Sequence, residues 1–502
     1  MRTLFSQTTR MLCAALASAL LLACSDGKDD LSQINEYLLI PSPVMSMPPA
    51  EGAISLLAHN FDLGDVGYMQ SEYFLEGTAS AFTNLNEFGS DGVWAAEPAE
   101  QATYKTRIVV YRPIDPDDFN GNVLMEWLNV TAGFETPPSW GTGQLEMRRG
   151  GSVWVGVSAQ IVGIEGSSGG LPLPLYLKAV DPVRYGSLLH PGDSFSYDIF
   201  SQAAQSIRNP SGIDPLGGLV VQNIIAYGES QSASRLTTYV NALHPLYNTF
   251  DGYMIHSRGD GASSLTQDPL VSIPAPAAPR IRADLNVPVM TFETETDVVL
   301  LEFFKARQPD TDMLRTWEVA GTAHGDYYTF VSGRDDAVGD PIFASVIEEP
   351  SILGFITCDR PMNNGPHHYV FNAAVRALNE WVSNGTLPEQ SPQLEINEDG
   401  SDYLFDDVGN VLGGIRTPYV DAPSALLRGE ANEGNNFCFL FGTTSLFSAA
   451  QMASLYVDEA GFVAAVTEAT SSAVSEGFLL QVDADAIITW APQQWRSQTE
   501  SP

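Results

Sequence analysis

Seven short apolar runs constrain the fold of this chain more than any other feature. They are TRIVVYRP (Thr106–Pro113), NVLMEWLNV (Asn122–Val130), SVWVGVSA (Ser152–Ala159), VQNIIAYGES (Val221–Ser230), FDGYMIHSRG (Phe250–Gly259), VPVMTFETETD (Val287–Asp297) and LRTWEVAGTAH (Leu314–His324). Their apolar residues are near-continuous rather than alternating, as expected of strands buried on both faces of a parallel sheet. Stretches with helical periodicity fall between or after several of them: Ser196–Asn209, Ser232–Pro245 and His367–Gly385. Strands alternating with helices predict an α/β chain with a mostly parallel, doubly wound sheet. Two Gly- and Pro-rich segments, 161–195 and 268–286, read as lid-like insertions, because loops of that length usually cap or bind. The main domain then spans 36–386. Residues 387–502 have strand-and-turn and then helical character, and read as a C-terminal extension packed on the same unit.

The first residues are set apart from the fold. Arg2 and Arg10 precede an apolar run, Met11–Ala23, too short to span a bilayer, followed by Cys24. That is a secretory signal pattern, and LLAC resembles the lipobox of bacterial lipoproteins. Residues 1–24 are therefore expected to be a lipoprotein signal with Cys24 as the lipidated residue, and 25–35 a polar tether. Cleavage after Ala17–Ser18–Ala19 is the alternative. Lipidation predicts an exported protein anchored to the outer membrane, touching membrane only through that anchor. Cys13 lies in the signal, which leaves Cys358 and Cys438. In an exported chain these are expected to form one disulfide, with two free thiols as the alternative. Lys and Arg number 24 against 61 Asp and Glu, a net charge of −37. A field of that sign repels phosphate backbones and argues against nucleic acid as a partner.

The chemistry centres on IIAYGESQSASRL, residues 224–236. A serine nucleophile needs a general base in reach, an acid that orients the base, and donors for an oxyanion. On a sharp strand-to-helix turn the residues two before and two after the serine must be small. Gly228 meets this, and Ser232 stands where glycine is usual. Ser230 is the candidate nucleophile; Ser232 and Ser234 read as ordinary first-turn residues. At a helix start the Gln231 N–H can face a developing oxyanion. A second donor is expected near Val130 or Thr131, in the loop after Asn122–Val130. Three carboxylates follow a later strand: Glu293, Glu295 and Asp297. Asp297 is favoured as the acid, with Glu295 as the alternative. Of the seven histidines, His324 alone sits in a loop after the next strand, so it is the candidate base. The order Ser230, Asp297, His324 is that of nucleophile-elbow hydrolases. Aromatics are more often core than pocket, so Trp127, Trp140 and Tyr327 read as core first and as pocket lining second. No H-E-x-x-H is present, and His367 with His368 at a helix start is a poor ligand set; neither metal nor cofactor is expected.

Taken together, EWLNVTAG, VWVGVSAQ, YGESQSASRLTTYVNALHP, FDGYMIHSRG, TETDV, EVAGTAHGDYY, NNGPHHYVFNAAVRALNEWV, GNVLGGIRTPYVDAP and FCFLFG resemble a family of secreted bacterial α/β-hydrolase-domain proteins, most without a defined substrate. The likeness runs from about residue 40 to the C-terminus. It implies the α/β-hydrolase fold and carries Ser230 and His324 over directly. The matched TETD contains both acid candidates and leaves them open. The activity expected is hydrolysis of small carboxylic esters through an acyl-enzyme. A non-catalytic ligand-binding scaffold, and an amidase or acyltransferase using the same residues, are the alternatives.

Overall fold

The computed structural model describes residues 37–500 apart from 168, 353, 355 and 436. The signal, Cys24 and the tether lie outside the described residues. Nine strands form one sheet in the order β1-β2-β3-β5-β4-β6-β7-β8-β9. They are β1 (Val44–Ser46), β2 (Tyr68–Asn84), β3 (Ala96–Pro113), β4 (Asn122–Trp127), β5 (Val153–Val157), β6 (Asn223–Glu229), β7 (Gly252–His256), β8 (Val289–Thr294) and β9 (Leu314–Val319). From β5 to β9 all neighbours are parallel, while β1, β2, β3 and β5 pair antiparallel. All seven apolar runs are strands of this sheet.

The sheet is buried on both faces, and this is why the runs do not alternate. On β4, Val123, Met125 and Trp127 point to one layer, which holds helix Ser196–Arg208 and the helix after β6. Leu124 points to the other, with helices Pro138–Arg149 and His367–Asn384. Ile224 and Ala226 against Ile225 and Tyr227 divide β6 in the same way. Each Val, Leu, Ile or Met among them, fully buried, contributes roughly 1.5–3 kcal/mol. Trp127 and Trp140 belong to these two layers and not to the pocket; a strand position and a buried helix position leave them no path to the site.

Two elements escape the apolar reading. Strand β2 and the first half of β3 form a long hairpin whose mixed, partly exposed residues carry little apolar signal. Helix Pro138–Arg149 has low propensity, with Gly141 and Gly143 in its interior. It forms because the buried Glu126 carboxylate accepts from the N–H groups of Ser139 (2.8 Å) and Trp140 (3.0 Å), doing the work of a cap. Burial nonetheless raises that carboxyl to about 7. Gly141 is needed for close packing: a Cβ there would lie 2.8 Å from the Thr329 carbonyl oxygen.

The segment 161–195 packs on β2 through Phe74, Ile164, Leu177, Tyr185 and Leu188. The extension belongs to the same compact unit, Leu39–Pro502. Ile415 bridges Val319 in parallel at the β9 edge. Helices Glu459–Ser475 and Gln481–Thr499 pack against each other and bury Phe462, Val466 and Ile487. Cys358 and Cys438 form a disulfide.

Candidate active site

Strand β6 ends at Glu229, and the helix Gln231–Thr238 starts two residues later. Ser230 takes the whole turn, at φ 59° and ψ −118°. A non-glycine residue there is strained by about 1–3 kcal/mol and persists only when its surroundings hold it. The Ser230 N–H donates to the His256 carbonyl on β7 (2.9 Å), and its carbonyl accepts from Ser234 (3.1 Å). Ser230 makes no side-chain cap to its helix, so Oγ is free to face outward. The close approach across the turn lies at Gly228, where a Cβ would stand 2.8 Å from the Ser232 carbonyl oxygen.

Ser230 Oγ lies 2.7 Å from His324 Nε2, and His324 Nδ1 lies 2.6 Å from Asp297 Oδ1. An ionised carboxylate only accepts, so the imidazole proton sits on Nδ1 and Nε2 accepts from Ser230. The other Asp297 oxygen accepts from Thr294 N–H (2.7 Å) and Thr294 Oγ1 (2.6 Å). The His324 N–H donates to Thr296 Oγ1 (3.0 Å). The TETD turn therefore orients both partners. Burial would lower the His324 pKa, but the Asp297 charge and hydrogen bond, with Glu229 adding to them, hold it above the ordinary value.

Glu295 goes elsewhere. Its carboxylate accepts from Gly321 N–H (2.6 Å) and Gly429 N–H (2.7 Å), tying the end of β8 to the turn after β9 and to the extension. Burial raises it to about 7. Glu293 is fully buried in β8, and its acid is pushed well above the usual range by burial and by Asp297.

The loop after β4 faces Ser230. Asn129 and Thr136 exchange backbone hydrogen bonds at its neck. Glu135 is anchored by the buried Arg107 at 2.5 Å, which also pairs with Glu72 at 2.9 Å. Within the loop the Thr131 N–H donates to Asn129 Oδ1 (2.8 Å), whereas the Val130 N–H has no acceptor among the described residues. Gln231 is the first residue of its helix, so its N–H has no intrahelical partner.

Glu229 is a site residue that sequence reasoning missed. It lines the same cavity as Ser230 and His324, with Oε1 3.6 Å from His324 Nε2. Asn129 Nδ2 donates to its Oε2 (3.1 Å) and its carbonyl (3.0 Å). Burial raises the carboxyl to about 8, against the pull of His324. Its place between Gly228 and Ser230 was the available signal, since the residue before an elbow serine shares its turn. His256 and His367 meet through their Nε2 atoms at 2.8 Å. Burial lowers both, so one donates and the other accepts. Tyr327 packs beside the disulfide with Phe330 and Phe441 and is not among the cavity-lining residues.

One of two fungal esterases from Rhizomucor miehei is 12% identical, covering 50% of this chain and 78% of its own, with a TM-score of 0.25. An α/β serine hydrolase without a lid from Xanthomonas campestris is 11% identical, covering 49% and 86%, with a TM-score of 0.26. No curated protein sequence matches the chain. The model of an alpha/beta hydrolase domain family matches residues 41–489, and the chain belongs to that family.

Proposed function

We propose that the protein is a serine hydrolase of carboxylic esters working through an acyl-enzyme. The observation that carries this reading is the continuous hydrogen-bonded chain from Ser230 through His324 to Asp297 at a strained elbow facing a cavity. Ser230 Oγ attacks the acyl carbon while its proton passes to His324 Nε2. Asp297 holds the imidazole in that tautomer and stabilises its charged form. The Gln231 and Val130 N–H groups donate to the tetrahedral oxyanion. His324 then gives the proton to the departing alkoxide, and the ester C–O bond breaks to leave an acyl-serine. Water, deprotonated by the same imidazole, attacks the acyl-serine; the acyl C–Oγ bond breaks, His324 returns the proton to Ser230 Oγ, and the acid leaves.

Every proton in this cycle is handled by His324, and no cofactor enters it. The leader pattern supports export and anchoring of Cys24 to the outer membrane as part of the same proposal. Replacing Ser230 with Ala is expected to abolish both p-nitrophenyl acetate turnover and labelling by a fluorophosphonate. Undiminished labelling of the variant would sink the assignment.

A further inference from the structure

The cavity in front of Ser230 measures about 160 Å3. Leu171, Leu173, Leu175, Phe330, Phe437 and Phe441 supply much of its wall. They come from the first insertion, the loop after β9 and the extension. Phe437 and Phe441 flank Cys438, so the disulfide ties this wall to the strip that carries Ile352 and Ile356. Arg334 is the cation on the lining, and its Nη2 donates to the exposed Asn60 (2.9 Å). Glu229 faces the same space.

A second cavity of about 240 Å3 adjoins the first. Leu57, Phe134 and Leu175 line both, so these three side chains stand between the chambers. The far chamber reaches the buried Arg107–Glu135 pair.

We infer that the site takes esters with one apolar arm of about six carbons, and that Leu57, Phe134 and Leu175 set that length. The length follows from volume: an apolar cavity of about 150 Å3 accommodates benzene, a six-carbon hydrocarbon. The inference rests on reading Ser230 as the nucleophile. The arm is the acyl chain or the alcohol chain of the ester, and the two are separable by experiment.

Two substrate series read it: p-nitrophenyl esters from acetate to dodecanoate, and n-alkyl acetates over the same lengths. In one of them kcat/KM is expected to climb about fourfold per methylene to about six carbons and to fall beyond. The series that climbs identifies the arm. Leu175→Ala opens the partition and moves the maximum to longer chains; Leu57→Ala, at a more exposed position, does the same should the first variant fold poorly. Profiles that are flat or fall from acetate in both series overturn the inference, as does a maximum that both opened variants leave in place. If no ester is turned over, the ester reading fails and the cavity is judged alone by calorimetric titration with 2-butanone and 2-octanone. Tighter binding of 2-octanone supports the apolar chamber; equal binding, or none of either, overturns it.

Discussion

Two carboxylates two residues apart should respond in opposite ways to loss of charge. Asp297 Oδ1 is 2.6 Å from His324 Nδ1, and its other oxygen is pinned by Thr294. In Asp297→Asn the residue keeps its shape, and its carbonyl oxygen can still accept from Thr294. The amide NH2 then faces Nδ1 and donates to it. That forces the imidazole proton onto Nε2, which can no longer take the Ser230 proton. The expected loss is about 10⁴ in kcat, equivalent to about 5 kcal/mol of barrier, with little change in thermal stability. Glu295 presents two oxygens to two N–H groups, at 2.6 and 2.7 Å. In Glu295→Gln only one acceptor remains, and either Gly321 or Gly429 faces an NH2 group. One buried unsatisfied donor costs about 1–3 kcal/mol, so the melting temperature falls while turnover changes by less than about fivefold, a barrier change under about 1 kcal/mol. Both variants are assayed at pH 8 for p-nitrophenyl butyrate hydrolysis, and the same preparations are melted by circular dichroism. The reasoning is refuted if Asp297→Asn keeps activity within about tenfold of wild type, or if Glu295→Gln loses turnover while melting normally.

Three further outcomes are expected. Because Asp297 holds the His324 pKa above its ordinary 6.5, and the neutral imidazole is the base, kcat/KM should be low in acid, rise through that raised pKa and level off above it; an inflection below 6.5 would contradict the geometry. Glu229 is held to about 8 in the fold but ionises near its ordinary 4.5 when unfolded, so wild-type stability has no penalty from it below that value and loses ground as pH climbs to about 8. Glu229→Gln should therefore gain melting temperature relative to wild type at pH 8 and not at pH 4; an equal shift at both would mean that the carboxyl is ionised in the fold. Replacing Cys358 and Cys438 with Ser removes a link across 80 residues and should cost about 2–4 kcal/mol, raising KM for the six-carbon member of whichever ester series climbs more than for its shortest member; unchanged chain-length selectivity would show that the wall stands without its staple.

What could be read from sequence is what depends on neighbours along the chain. The apolar runs from Thr106 to Val319 declare strands because each is buried on both faces by its own residues. The elbow declares itself because Gly228 and Ser230 share one turn, and Gly385 ends the long helix in a left-handed conformation. The order Ser230, Asp297, His324 was legible because each follows its own strand, and parallel strands bring their C-terminal ends to one edge of the sheet. One strand and one helix were not legible, for a matching reason. Strand β2 is paired but partly exposed, and helix Pro138–Arg149 is capped by Glu126, a carboxylate from a different element.

Tertiary structure decided the rest. Glu295 and Asp297 sit in the same four-residue stretch, where local position favours Asp297 but leaves Glu295 open; the choice depends on where Gly429 and His324 arrive from other parts of the chain. The role of Glu229 depends on its burial and on an imidazole ninety-five positions away. The cavity is assembled from the first insertion, the segment around Ile352 and Ile356, and the Cys438 region. Its apolar character is a property of that meeting. Hydrophobic burial is non-directional, so a leucine in a loop carries no mark of whether it will face a core, a pocket or solvent until the sheet has placed it.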